Sequence, residues 1–133
     1  AALISHAYAQ IALKCTHYDK PFFYGHNIIN FDMKVLAQRS MVLGIRAPEF
    51  MPFDLKPWDD RVYDTMTRWA GAKDSVKLEK LLKVFKIDGK ISDGSQVYKM
   101  WLSGGFENIA EYNKDELEKI GQLFNKMAIA QYA

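Results

Sequence analysis

Apolar residues recur along this chain at helical spacings, interrupted by clusters of Pro, Gly and Asp. Leu3, Ile4, Ala7, Tyr8, Ile11 and Cys15 follow i, i+3, i+4 steps and predict an amphipathic helix over residues 2–17. Tyr18-Asp19-Lys20-Pro21 breaks it, and the aromatic run 22–25 reads as a short buried strand. A helix is expected from about 31 to 43, then an irregular loop over 44–58, where Pro48, Pro52 and Pro57 deny regular hydrogen bonding. Arg61-Val62-Tyr63-Asp64-Thr65 reads as a second short strand ending at an Asp-Thr pair. Leu78, Leu81, Leu82 and Phe85 mark a helix stopping at Asp88-Gly89. Ser92-Asp93-Gly94-Ser95 then looks like a loop and cap, and Val97, Met100 and Trp101 carry a short helix to Gly104-Gly105. The last helix is expected over 106–128. Helices alternating with strands predict an α/β layer fold with a partly parallel sheet.

Composition narrows the class without choosing a function. The chain has 133 residues, 49% hydrophobic and 14% aromatic, as an ordinary globular domain does, which excludes disordered and collagen-like classes. A net charge of +2 neither demands nor excludes nucleic acid. The single cysteine, Cys15, has no intrachain disulfide partner; an inert thiol in a reducing cytoplasm is expected. No apolar run reaches the roughly 20 residues of a membrane span, so no membrane partner is expected.

Two acidic residues carry the candidate chemistry. Asp32 opens a helix whose stripe runs through Val35, Leu36, Arg39 and Leu43, all at helical spacings from it, which predicts an inward carboxylate. An inward acid needs a metal, a cation or a hydrogen-bond donor; capping of the helix N-terminus is the other reading. In the last helix the apolar stripe is read through Phe106, Ile109, Asn113, Leu117, Ile120, Phe124 and Met127, flanked by Leu123. Glu116 borders that stripe, whereas Asp115 falls on the polar face with Glu111, Glu118, Lys119 and Gln122. Tyr112, four residues before Glu116, shares its side.

These pieces, in order, resemble the DnaQ-like (RNase H-like) 3′-5′ exonuclease superfamily, and within it the predicted exonucleases related to the proofreading domain of family B DNA polymerases. The matching strings are Gly25-His26-Asn27 with Phe31-Asp32, then Tyr63-Asp64-Thr65-Met66, the helix over 78–87, Asp93-Gly94-Ser95-Gln96-Val97, and Tyr112 with the acid four residues later. The resemblance covers roughly residues 20–128 and implies an RNase H-like (DnaQ-like) layered α/β fold. It also implies hydrolysis of single-stranded DNA or RNA from the 3′ end with two Mg²⁺ or Mn²⁺ ions, which hard carboxylate oxygens suit. On this reading Asp32 and Glu116 serve the metals and Tyr112 positions the attacking water. Asn27, Phe31 and His26 contact the nucleic acid. The domain would be at home beside replication or repair machinery in the cytoplasm.

The chain departs from the pattern twice. The last acid is Glu116 where the family has Asp, with Asp115 as the alternative after a register shift. No strand here bears the Asp-x-Glu of a first motif, so the 133 residues are expected to be the C-terminal portion of a single exonuclease-like domain lacking its first strands, inactive by itself.

The remaining residues have plainer alternatives. Asn27 suits an Asx-type turn as well as a nucleotide contact, and Phe31 suits core packing as well as stacking on a base. Asp64-Thr65 is expected to order its loop by hydrogen bonds. His26 has no His-x-x-x-His companion in His6 or His17, which argues against zinc. Lys73, Lys77, Lys80, Lys83 and Lys86 read as a solvated face in preference to a phosphate-tracking stripe.

Overall fold

The computed structural model describes residues 1–15, 21–88 and 95–132. The break expected at 18–20, His17, Gly89, the loop 92–94 and the Asp93-Gly94 part of the family string lie outside the described residues. Two compact units divide the chain, Ala1–Lys73 and Asp74–Ala133.

In the first unit, helix α1 (Ala2–Lys14) leads to strand β1 (Phe23–Gly25). A single π turn, Ile28–Asp32, then runs directly into α2 (Met33–Leu43). Strand β2 (Val62–Asp64) follows, and α3 (Thr65–Ala70) starts at its last residue. No regular element lies between Leu43 and Val62, as the three prolines require. The two strands pair in parallel, with Phe23 opposite Val62, Tyr24 opposite Tyr63 and Gly25 opposite Asp64. Both therefore end together, and the segments 26–32 and 65–70 leave from the same edge. The structure is thus mixed α/β with a small parallel sheet.

Its core gathers on Tyr8, Met33 and Met51, with Ile4, Ile11, Phe23, Ile28 and Leu36 packed around them. Tyr8 and Ser40 join α1 to α2 through a buried hydroxyl pair at 2.6 Å, which satisfies two groups that would otherwise be costly to bury. Cys15 is half-buried, its thiol donating to the Ile11 carbonyl at 3.3 Å. Just before β2, the Arg61 guanidinium grips both oxygens of Asp59, holding that carboxyl down at about 2, and reaches Asp54 at 3.2 Å. This surface clamp fixes the approach to the strand more than it adds stability.

The second unit contains α4 (Leu78–Val84), α5 (Ser95–Leu102) and α6 (Phe106–Tyr132), with α4 and α5 each packed on α6. Leu81 and Leu123 are fully buried, joined by Leu78, Leu82, Ile87, Ile120 and Met127. Each such side chain contributes about 1.5–3 kcal/mol. Lys126 donates from Nζ to the Phe85 carbonyl at 2.9 Å, satisfying an orphan acceptor where α4 ends. Lys83 pairs with Glu79 one turn earlier, and Lys77, Lys80 and Lys86 are exposed, so the lysines of this helix form a solvated face.

The close of α4 uses a residue poorly suited to its backbone. Lys86 stands at φ 54, and the next amide, Ile87, returns to the Leu82 carbonyl at 2.9 Å. A left-handed conformation costs an L-residue with a Cβ about 1 kcal/mol relative to glycine. Lys86→Gly should therefore raise unfolding stability by about that amount in a urea titration.

Candidate functional site at the carboxyl ends of the strands

The sheet edge where both strands end is organised by one buried carboxylate. Asp64 is fully buried and accepts three backbone N–H groups. Oδ1 takes Asn27 at 2.9 Å and Met66 at 3.0 Å, and Oδ2 takes Ile29 at 3.1 Å. The Met66 bond caps α3. The other two fold the chain after β1 back over the end of β2. The expectation that Asp64-Thr65 orders its loop by hydrogen bonds matches this geometry.

Local sequence permits that fold. Asn27 adopts φ 59, a conformation Asn tolerates better than most residues. Gly25 lets the turn close on the strand end, since a Cβ there would stand 3.1 Å from the Ile28 Cβ. The turn widens to π geometry, with the Met33 amide reaching back five residues to the Ile28 carbonyl. Ile29 and Met33 go inward, and Asn30, Phe31 and Asp32 are left exposed.

Asp32 is thus placed differently from the sequence expectation. The inward stripe runs Ile29, Met33, Leu36, Ser40, while Arg39 is exposed and Val35 and Leu43 are largely so. The π turn is the reason: it sets the phase of α2 by burying Ile29, and Asp32 falls beside the buried face. Neither does its side chain cap the helix. Asp32 touches water but is crowded by protein, which raises its pKa chiefly through lost solvation. A hydrogen bond from its own backbone opposes the rise, and the neighbouring Asp64 charge adds to it.

Thr65 links the strands a second time. Its hydroxyl lies 3.3 Å from the Gly25 carbonyl and 2.9 Å from His26 Nδ1. A hydroxyl has one proton, so both bonds form together only when Thr65 donates to Gly25 and His26 Nδ1–H donates to Thr65. The Asn27 side chain makes no cap bond, and its Oδ1 is buried without a hydrogen-bond partner among the described residues. That excludes the Asx-type turn. Phe31, 61% exposed, is not core packing.

Sequence reasoning missed Arg68. Its guanidinium lies over the Tyr63 ring, 5.1 Å from the centroid, and its Nε is buried without a hydrogen-bond partner among the described residues. The available signal was its position four residues after Asp64, one helical turn into α3.

In the second unit, Tyr112 and Glu116 stand one turn apart on α6 and are both half-buried, whereas Asp115 is exposed and paired with Lys119. The wheel's preference for Glu116 as the inward acid agrees with this. The stripe itself is rotated from the expected one: Asn113 and Leu117 are exposed, Leu117 at 65%, and Lys119, Ile120, Leu123 and Met127 are buried. Burying Leu123 centrally carries Tyr112 and Glu116 further inward than Leu117 would.

Asp32 belongs to the first unit and Tyr112 and Glu116 to the second. Among the described residues no group of three or more His, Cys, Asp or Glu side chains could hold a metal ion. Nor, among them, is any helix long and apolar enough to cross a membrane.

A mixed α/β domain whose parallel strands end together, with acidic and aromatic side chains displayed at that edge, is the class of protein defined here. Residues 2–130 match the model of the family described as predicted 3′-5′ exonucleases related to the exonuclease domain of PolB, and the chain belongs to that family. No curated protein and no solved structure gives a match.

Two consequences can be measured. Asp64→Ala would strand three amides and should cost roughly 3 kcal/mol or more of stability in chemical denaturation. For Asp32, a folded-state pKa above the unfolded value means stability that is full below the ordinary 3.8 and lost as pH rises through the folded value. Asp32→Asn should therefore raise the Tm at pH 7, with the advantage shrinking as pH falls toward 3.8.

Proposed function

We propose that this chain is the C-terminal portion of a 3′-5′ exonuclease domain with RNase H-like layering, acting on the 3′ end of single-stranded DNA or RNA. Family membership over residues 2–130 supports the reaction class. The observation that carries the site is the π turn tied down by Asp64, which displays Phe31 and Asp32 where the two strands end. Open sheets bind ligands at the carboxyl ends of their strands.

The reading assigns each residue a task. Phe31 offers a ring face to the terminal base. Asn27 brings a buried, unsatisfied amide oxygen close to it, and His26, oriented by Thr65, flanks the terminal nucleotide. Tyr112 positions the attacking water, with Glu116 one turn away as the last acid. Hydrolysis of this kind draws on two divalent cations, Mg²⁺ or Mn²⁺, which polarise the phosphate and activate the water. Asp32 and Glu116 are the carboxylates assigned to them. The described acids do not by themselves form a cage for those ions, and the Asp-x-Glu pair that would supply further oxygens is not among these 133 residues. The raised pKa of Asp32 fits an acid kept for function at a cost to folding.

That lack of a cage also favours a second reading, a nucleic-acid-binding module on the same fold without catalysis. A 3′-labelled single-stranded oligonucleotide separates the two, incubated with Mn²⁺ and the protein extended upstream through any Asp-x-Glu strand. The exonuclease reading expects stepwise 3′ trimming that Asp32→Ala reduces roughly 100-fold or more. Binding without trimming by a folded, metal-supplied protein would establish the second reading instead.

A further inference from the structure

Alternation along β2 sends Tyr63 and Asp64 to opposite faces of the sheet. Asp64 is committed to three amides. Tyr63, 2% exposed, is covered by a cation: Arg68, one helical turn into α3, lays its guanidinium over the ring, 5.1 Å from the centroid. Side chains on a helix lean toward its N-terminus, and α3 begins directly after the last residue of β2. The guanidinium therefore stands beside the edge where both strands end.

That placement does little for the fold. The Arg68 Nε is buried without a hydrogen-bond partner among the described residues, and no carboxylate lies within ion-pair distance of the guanidinium among them. An unmet buried donor costs about as much as a cation over a ring returns, and an apolar side chain of similar length would cover Tyr63 without that loss. Unpaired cations occur elsewhere on the chain, but Arg39, for one, is exposed and lies over no ring among the described residues. Arg68 differs in being held in place, half-buried, by the Tyr63 ring and by the helix that carries it. A guanidinium fixed in this way presents its donors as a rigid fork, the geometry a phosphate accepts.

We propose that Arg68 binds a backbone phosphate of the nucleic-acid strand, upstream of the 3′-terminal linkage. The contact rests on the reading of the sheet edge as the place where a single strand is held, and it adds an anchor on the face of the sheet away from Asp64. The terminal nucleotide then lies at the π turn with Phe31 and Asp32, and the strand behind it passes the end of β2 to reach Arg68. Phosphate contacts of this kind set register and orientation without reading sequence, so Arg68 is a binding residue that takes no part in the chemistry.

The test reads binding without metal, so that cleavage does not intervene. A fluorescently labelled single-stranded oligothymidylate is titrated with the full chain over a range of salt, then as a set in which one linkage at a time is a neutral methylphosphonate. Arg68→Met keeps the cover over Tyr63 and removes the charge. It should leave the Tm unchanged or higher, weaken binding about 10-fold and lower the slope of log affinity against log salt by about 0.7. Arg68→Lys, which retains the charge, should keep that slope. In the unaltered chain one methylphosphonate position should weaken binding by a similar factor, and in Arg68→Met the same position should no longer matter. A merely structural Arg68 would leave the methylphosphonate pattern the same in both proteins. That result, or unchanged affinity and slope in Arg68→Met, would overturn the contact and leave the exonuclease reading standing, whereas no binding by the unaltered chain would count against both.

Discussion

The first unit depends on a carboxylate that is spent on the backbone. Asp64, without solvent contact, ties three amides from both sides of the sheet edge. A two-stranded sheet three residues long has little ladder energy of its own. The Asp64 bonds act as supplementary rungs beyond the last residues of both strands. They fix where β1 ends, how the π turn leaves it and where α3 begins, so the display of Asn30, Phe31 and Asp32 follows from them.

The same hub shapes the electrostatics of its neighbour. Crowding by protein is the chief obstacle to a charge on Asp32, and the neighbouring Asp64 adds to it. Asp32 is therefore less content as an anion than a surface aspartate, and a cation or donor brought to this edge would relieve it. Two acids lie side by side here and differ in what they bond: Asp64 is committed to three amides, whereas the Asp32 side chain makes no capping bond.

In the second unit, packing and display are divided between helices. α6 commits Leu123, Ile120 and Met127 to the core against α4, whereas α5 half-buries only Val97 and Met100 and leaves Tyr98, Trp101 and Leu102 exposed. A helix of eight residues is marginal by itself; α5 persists through its packing on α6 and the Gly104-Gly105 turn.

Much of this was legible from side-chain spacing. Periodicity located α1, α2, α4, α5 and α6, the prolines marked the irregular 44–58 segment, and the wheel of the last helix separated Glu116 from Asp115. These are local properties, fixed by 3.6-residue geometry and backbone chemistry wherever a helix forms. Tertiary structure alone decided the phase of two faces. Asp32 reads as inward on a regular helix, but the π turn buries Ile29 and Met33 and leaves the acid outside. Val97, Met100 and Trp101 carry the α5 pattern together, yet the first two are half-buried and Trp101 is exposed. It also decided that Asp64 binds three amides, Asn27 and Ile29 lying more than thirty positions away, a pairing that no local pattern encodes because it exists only once the two strands lie in register.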